Sequence, residues 1–331
     1  MTEAAMPEYS AAPNMDSSRL TAARRFSRKD RFFHRLTQAA ALAVLAVLVG
    51  VLISLLIGAA PAFGTFGLSF LWTESWNPVT EKFGALAPIY GTLVTSAVAM
   101  IVAVPIGIGI ATFLTELCPQ FLRRPVGIAI ELLAGVPSII YGIWGLFVLA
   151  PILQRTIQPW LIEAFGSIPV LRSLFAGPPY GIGILTAGLI LAIMVLPFIT
   201  SVTRDVFEAV PPMLKESAYG LGCTRREVMW KVVLPYARVG VTGGIMLALG
   251  RALGETMAVT FVIGNAHRVS ASILAPGTTI SASIANEFTE AVEDIYTSSL
   301  IALGLILFII TFLVLAAARY MLLRIERKTG A

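Results

Sequence analysis

Six long apolar segments dominate the chain and restrict it to one class of fold. They cover roughly residues 39–62, 86–115, 126–153, 180–203, 239–264 and 295–318. A helix needs about 20 apolar residues to cross the apolar layer of a membrane, which is about 30 Å thick, so every segment is long enough. We expect Pro105 and Pro137, inside the second and third segments, to bend these helices and not to end them. The pattern predicts an all-α integral membrane protein with six transmembrane helices.

The composition of the chain agrees with this class. Of the 331 residues, 57% are hydrophobic and 13% are charged, whereas soluble domains carry about 25% charged residues. The net charge is +5, but in a membrane protein we expect the basic residues to act as topology signals and to contact lipid headgroups. Membrane lipid is therefore an expected partner, and nucleic acid is not.

The distribution of Lys and Arg predicts the orientation. Most of the 24 such residues lie before the first apolar segment, between the second and third, between the fourth and fifth, and after the sixth. By the positive-inside rule, both termini and the connection at 204–236 are cytoplasmic. The predicted parts are a disordered, basic cytoplasmic leader at 1–35, a first transmembrane helix at 36–62, a core of five transmembrane helices at 86–320, and a cytoplasmic tail at 321–331.

No catalytic centre or cofactor site is indicated by the sequence. No lysine follows a glycine, so the Gly-x4-Gly-Lys phosphate-binding loop is missing. The two histidines, His34 and His267, do not combine with a nucleophile or with the two cysteines into a triad or a metal site. We therefore expect a chain that is not an enzyme and that binds neither a metal nor a cofactor.

A spaced motif occupies the polar connection between the fourth and fifth apolar segments. Its pattern is Glu-x-Ala-x3-Gly-x9-Val-x-Leu-Pro, formed by Glu216, Ala218, Gly222, Val232, Leu234 and Pro235. Pro212 suits the first turn of a helix, and the turn at 220–222 should end it. Thr224 and Glu227 have the spacing of a capping box, which predicts the start of a second helix.

Two short helices joined by a glycine turn would form a projecting knob. We expect its apolar contact surface to consist of Leu214, Ala218, Leu221, Val228 and Trp230, with charges around it that set the register of a partner. The alternative is an ordinary solvated loop with helical turns. Nearby, Glu116 and Glu131 flank the Arg123-Arg124 pair, and we expect them to pair with those arginines or with helix ends.

The fifth apolar segment contains two charged residues, Arg251 and Glu255. Residues four apart lie on the same face of a helix, where they can pair. An arginine at the centre of a membrane costs about 3 kcal/mol on insertion scales, so the pair should face protein or a water-filled path. One interpretation is an anion translocation path in which Glu255 balances Arg251 when no anion is present. The alternative is a neutral pair that only fixes helix packing.

Several groups of residues resemble one known family. They are Tyr90–Ser96, Thr115–Leu117, Glu131–Ser138, Lys215–Gly220 and Gly250–Thr260. Together they are similar to the C-type permease subunits of bacterial phosphate-specific ATP-binding-cassette importers, and the resemblance covers about residues 40–320. It implies the type I importer permease fold, also called MetI-like, in a prokaryotic inner membrane. It also implies a heterodimer with a second, related permease, two ATPase subunits that hold ATP and Mg²⁺, and an extracytoplasmic phosphate-binding protein.

The resemblance further implies a function and its alternatives. The chain would move inorganic phosphate inward by alternating access, with Glu216–Pro235 coupled to the ATPase and with Arg251 and Glu255 in the path. Ser217 departs from the usual motif, which has alanine there. A permease for sulfate or molybdate would share the fold and the loop, whereas a channel or secondary transporter would leave the loop without a partner. We expect the acidic segment Glu287–Asp294 to serve as a docking surface for the binding protein.

Overall fold

The structure is a computed structural model that describes residues 17–329, with side-chain surroundings for residues 32–169 and 171–324. Its helices are α1 (Ser17–Phe66), α2 (Leu86–Leu117), α3 (Gln120–Ala134), α4 (Ser138–Phe165), α5 (Pro169–Leu174), α6 (Ile184–Glu208), α7 (Pro212–Gly220), α8 (Arg225–Leu253), α9 (Met257–Ile263), α10 (Ile280–Glu287) and α11 (Asp294–Thr329). Within the described range, β-type backbone pairing is limited to one isolated bridge between Asn77 and Lys82. The prediction of an all-α chain is confirmed.

Six helices of the described part are long and apolar enough to cross a membrane. They are Phe32–Leu71, Leu86–Leu117, Ser138–Phe165, Ile184–Glu208, Arg225–Leu253 and Asp294–Arg324. This confirms the prediction of six transmembrane helices. The bounds of the third and fifth of these helices differ from those of the apolar segments in the sequence.

Helix α1 is a single long helix that forms most of the first of two compact units. The chain divides into Met1–Ser54 and Leu55–Ala331, and the second unit holds the other ten helices. Helix α1 begins at Ser17, inside the segment 1–35 for which the sequence predicts a disordered leader. Residues 1–16 of that leader lie outside the described residues.

The third apolar segment is divided, and the prediction of one bent helix over residues 126–153 is wrong. Helix α3 ends at Ala134, and α4 begins at Ser138 after three residues that are not helical. Pro137 lies at the break with φ −56° and ψ 136°, and proline also disfavours the helical conformation of the residue before it. The spanning helix is therefore α4, and α3 is a separate helix of 15 residues.

The fifth spanning helix starts earlier than the apolar segment and ends earlier. Helix α8 begins at Arg225, so the second helix of the predicted knob is also the first part of this span. Pro235 lies inside α8, two residues after the end of a π-helical turn at Met229–Val233, and such a wide turn accommodates a proline ring and its missing donor. At the other end, Gly254 leaves the helical conformation with ψ 2°, which separates α8 from α9.

Helix α6 is the central helix of the unit formed by residues 55–331. Buried residues make up 67% of its most apolar stretch, compared with 28% for the corresponding stretches of the other spans of this unit, α2, α4, α8 and α11. The most extensive contact of α6 is with α2, and small buried residues line both sides, Ala99 and Ala103 on α2 and Ala187 on α6. Small residues let helix backbones approach closely in a membrane, so α2 and α6 form a frame against which α8 and α9 pack.

The two ends of α2 define two sides of this unit. The loop side, at the C-terminal end of α2, carries Glu116, Arg204 and Lys215, which form ion pairs. The far side, at the N-terminal end of α2, carries Trp76 and His267, whose rings stack with their centres 4.9 Å apart. Helix α2 runs from the far side to the loop side.

On the far side, the backbone of helix α2 lies very close to the segment that precedes α10. A Cβ atom at Gly91 would overlap the carbonyl oxygen of Thr278. The next residue, Thr92, accepts a hydrogen bond from the backbone N–H of Ile280 at 3.0 Å through its hydroxyl group. The contact therefore requires a glycine at position 91.

We predict that Gly91→Ala destabilises the protein by about 1–3 kcal/mol, because an inserted methyl group must displace backbone in a packed interior. Gly109→Ala is the matched control on the same helix, since nothing lies within 4 Å of its added Cβ and alanine favours the helix by up to about 1 kcal/mol. Thermal unfolding of the purified protein in detergent measures both. A melting temperature of Gly91→Ala equal to that of the wild type would contradict the close approach.

Candidate functional site

The predicted knob is present and consists of α7 and the first turns of α8. Helix α7 ends at Gly220, and Gly222 reverses the chain with φ +85°. Glycine adopts this left-handed conformation without the steric cost that other residues carry. Because nothing lies within 4 Å of a Cβ built on Gly222, the requirement for glycine comes from the backbone conformation and not from a lack of space.

The capping box at the start of α8 is confirmed. The hydroxyl oxygen of Thr224 accepts a hydrogen bond from the backbone N–H of Glu227 at 3.4 Å. In return, the carboxylate of Glu227 accepts one from the backbone N–H of Thr224 at 3.0 Å. Two backbone donors at the end of the helix are thus satisfied, and α8 starts at a defined residue directly after the glycine turn.

The knob exposes part of the predicted apolar surface and buries the rest. Leu221 is 86% exposed, Trp230 is 64% exposed and Leu214 is also exposed. Ala218 and Val228 are buried instead, so the prediction that they belong to the contact surface is wrong. They lie on the inner faces of α7 and α8, where they pack into an apolar cluster with Phe207 of α6.

The other motif residues lie on either side of this cluster. Glu216 is exposed on α7, as is Gly222 in the turn. Val232 and Leu234 are half-buried on α8 and pack against the cluster, whereas Pro235 is exposed. The motif therefore combines residues that hold the knob to the protein with residues that a partner can reach.

Ion pairs on the loop side join different helices from those that the sequence suggests. Glu131 pairs with Arg204 of α6 at 2.7 Å, and Glu116 pairs with Lys215 of α7 at 2.6 Å. The sequence led us to expect pairs with Arg123 and Arg124, but neither glutamate forms one. Arg123 pairs instead with Glu208 at 3.1 Å. These partners are 73 to 99 residues apart in the chain, so no local spacing indicates them.

Arg251 and Glu255 do not form the predicted pair. The prediction assumes one continuous helix, but α8 ends at Leu253, so the two side chains do not have the geometry of residues four apart. Glu255 accepts a hydrogen bond from the backbone N–H of Ala258 at 3.3 Å and so caps the start of α9. The structure thus separates the two charges and gives each a different neighbour.

Arg251 lies over an aromatic ring of α6. Its Cζ atom is 4.7 Å from the centre of the Phe198 ring, and it forms no salt bridge with any carboxylate of the described residues. A cation on a ring face is stabilised by about 0.5–2 kcal/mol, and the contact leaves the N–H groups at the edge of the guanidinium available to an anion. Sequence reasoning missed Phe198, because one phenylalanine in an apolar segment carries no distinguishing signal.

The acidic segment Glu287–Asp294 on the far side is only partly exposed to solvent. Glu287 accepts hydrogen bonds from Trp76 Nε1 at 2.5 Å and from the Tyr296 hydroxyl at 2.8 Å, and it lies 2.7 Å from His267 Nε2. Burial raises the pKa of this carboxyl, but the hydrogen bonds from its partners outweigh burial and hold the pKa below its usual value. Glu287 thus joins far-side segments, whereas Glu290, Glu293 and Asp294 are exposed.

A family model described as "Binding-protein-dependent transport system inner membrane component" matches residues 103–327. Individual relatives match more of the chain. The "Phosphate transport system permease protein PstC" of Mesorhizobium japonicum is 70% identical over 321 residues, which are 97% of this chain and 98% of the relative. The protein of the same name from Pasteurella multocida is 60% identical over 90% of this chain and 93% of its own length.

Solved structures with a similar fold are also membrane transporters. A bacterial alginate ABC transporter, bound to a periplasmic protein that holds an alginate pentasaccharide, gives a TM-score of 0.59 at 18% identity, over 90% of this chain and 97% of the other. A bacterial ABC transporter involved in alginate import gives 0.53 at 16% identity, over 89% and 99%. At these identities the likeness shows the fold alone, and it confirms the predicted fold of a type I importer permease.

Proposed function

The chain belongs to the family of binding-protein-dependent transport system inner membrane components, and we propose that it is the membrane-spanning permease subunit of an ATP-driven importer of inorganic phosphate. The observation that carries this proposal is the match of nearly the whole chain, at 70% identity, to a permease of a phosphate transport system. We propose that the chain itself catalyses no reaction and binds no cofactor.

Arg251 is the group that meets the anion. Its guanidinium rests on Phe198 and not on a carboxylate, so an incoming phosphate does not have to displace an ion-paired partner. The planar fork of arginine matches the oxygens of phosphate and can donate two hydrogen bonds at once. Glu255, at the start of α9, borders the same path, where its negative charge keeps the anion from binding too tightly.

The knob is the site at which the partner ATPase docks. Its exposed residues Leu214, Leu221 and Trp230 offer an apolar surface, and Glu216 beside them offers a charge, a combination that suits a protein interface. The proposed complex contains two ATP-binding subunits, which hold ATP and Mg²⁺, and a second, related permease. A phosphate-binding protein docks on the far side, where Glu290, Glu293 and Asp294 are exposed.

The loop side faces the cytoplasm in this proposal. The support is the positive-inside rule, since the connections on this side and the segments outside the first and last spans hold most of the Lys and Arg residues. Both termini are then cytoplasmic, and the membrane is the prokaryotic inner membrane. The far side is extracytoplasmic, where a binding protein can reach it.

The transport mechanism is alternating access driven through α8. This helix has 29 residues, which corresponds to a length of about 43 Å, and it runs without interruption from the knob to Arg251. When ATP binding brings the two ATPases together, the knob moves with them, and α8 tilts as one body. The tilt changes the side from which Arg251 can be reached, which is the two-state behaviour that alternating access requires.

The first test of the function is uptake. We expect the complex, purified with its ATPase and second permease and reconstituted into vesicles with the binding protein, to accumulate radiolabelled phosphate only when ATP is present. Excess unlabelled phosphate should abolish the uptake of label, because it competes for the same site. Sulfate or molybdate should not, because the complex is expected to accept phosphate and not these anions. Competition by sulfate or molybdate at similar concentrations would assign another oxyanion, and ATP-independent flux would indicate a channel or a secondary transporter.

A second prediction concerns the anion path. Arg251→Gln should lower phosphate uptake about tenfold to hundredfold, because charged hydrogen bonds to the anion contribute about 1.5–3 kcal/mol, while the assembled complex is recovered in normal amount. Arg238→Gln is the matched control, since Arg238 lies on the same helix near the loop side, and it should transport normally. Uptake by Arg251→Gln at the wild-type rate would contradict the role of Arg251 in the path.

A third prediction concerns the glycine turn. Gly222→Val should reduce the amount of ATPase that copurifies with the permease by at least about fivefold, because a left-handed conformation costs other residues about 1–2 kcal/mol. Gly220→Ala is the control, since Gly220 is helical and nothing lies within 4 Å of its added Cβ. If both variants retain the ATPase equally, the knob is not the docking site or does not depend on its turn.

A further inference from the structure

We propose that Lys215 is a positioning residue for energy coupling, and that its ion pair with Glu116 transmits the movement of the knob to helix α2. The inference rests on the proposed function, since it assumes that a partner moves the knob. It adds a second route of transmission beside α8. Neither residue belongs to the spaced motif that runs from Glu216 to Pro235.

The ion pair joins three parts of the loop side. Lys215 lies on α7, directly before the exposed Glu216, and its Nζ atom is 2.6 Å from the carboxylate of Glu116 at the end of α2. The same Nζ atom donates to the carbonyl oxygen of Phe207, near the end of α6, at 3.5 Å. Any displacement of α7 therefore acts directly on the ends of both helices of the central frame.

The pair is shielded from water to an extent that other loop-side pairs are not. The side chains of Lys215 and Glu116 are 20% and 13% exposed. Those of Arg123 and Glu208 are 39% and 48% exposed. Water and salt weaken the attraction between exposed charges much more than that between shielded ones. The Lys215–Glu116 pair can therefore carry force between two helices, which an exposed pair does poorly.

The apolar contacts of α7 do not provide this route by themselves. Ala218 is the only buried residue of α7, and its single methyl group belongs to an apolar cluster that also contains Ala111 of α2 and Phe207 of α6. Apolar contact has no preferred direction, so a methyl group can slide under tension. A charged hydrogen bond has a defined geometry and is stronger than a neutral one, so it holds α2 and α7 in register.

The position of Glu116 makes this contact effective over a long distance. It lies in a π-helical turn, Phe113–Leu117, that closes α2. The opposite end of α2 holds Gly91 and Thr92, which contact Thr278 and Ile280 on the far side. A pull on Glu116 is thus delivered along α2 to the entrance of α10, where the permease must open or close its far side during transport.

Four variants test the proposal in the reconstituted complex with its ATPase, second permease and binding protein. Lys215→Met removes the charge and keeps the apolar stem, and Glu116→Gln removes the charge of its partner. Lys215→Arg retains the positive charge, and the double exchange Lys215→Glu with Glu116→Lys reverses the pair. The readouts are the amount of assembled complex, binding-protein-stimulated ATP hydrolysis and the number of phosphate ions imported per ATP.

We expect Lys215→Met and Glu116→Gln to assemble normally and to import at least about fivefold less phosphate per ATP, the lower end of usual coupling effects. Lys215→Arg and the double exchange should recover most of the loss. Arg123→Gln is the control, since it removes an exposed pair that does not involve α7, and it should stay within about twofold of the wild type.

Two results would overturn the inference. One is wild-type import per ATP in Lys215→Met and Glu116→Gln. The other is a loss of import that only follows a loss of assembled complex, since the pair would then serve stability alone. Failure of the proposed function is a separate outcome: it shows in the wild-type complex, as absence of ATP-dependent phosphate uptake. Whether the Lys215–Glu116 pair contributes to coupling is then still tested by comparing binding-protein-stimulated ATP hydrolysis in each variant with that of the wild type.

Discussion

The pairing of backbone polar groups inside the membrane is the constraint on which the rest of this structure depends. It forces the apolar segments into helices, and it permits a helix to break only where other groups satisfy the freed N–H and C=O. At the break between α3 and α4, the Tyr141 hydroxyl donates to the carbonyl oxygen of Leu133 at 2.8 Å. At the break between α8 and α9, the carboxylate of Glu255 accepts from Ala258. At both breaks, a nearby side chain therefore forms a hydrogen bond with a backbone group at the helix end.

The second break determines the character of the candidate anion site. Because α8 ends before Glu255, the glutamate is used for capping, and Arg251 is left to the face of Phe198. An arginine held by a ring keeps its charge and its hydrogen-bond donors for a ligand, whereas one held by a carboxylate is largely neutralised. The interruption of the helix and the availability of the arginine are therefore two consequences of the same local conformation.

Several features could be predicted from the sequence because they depend on neighbouring residues. The capping box of Thr224 and Glu227, the end of the first short helix in the turn at 220–222 and the six spanning helices depend on spacings within one helix or turn, and they are confirmed. The exposure of the knob could be predicted only in part, since Leu221 is exposed but Ala218 is buried. Which face of a short helix is buried depends on Phe207 and other residues of a different helix.

The sequence by itself determined the class of the protein, the number of its spanning helices, and the capping box and turn of the knob, because these features depend on residues close together in the chain. Only the tertiary structure decided that Lys215 meets Glu116, that Arg204 meets Glu131 and that Arg251 meets Phe198. These partners lie 53 to 99 residues apart in the chain. Their contacts arise from the packing of α2, α3, α7 and α8 with one another and with α6. The physical reason is that side-chain pairing between helices depends on how the helices cross, which no local spacing in the sequence records.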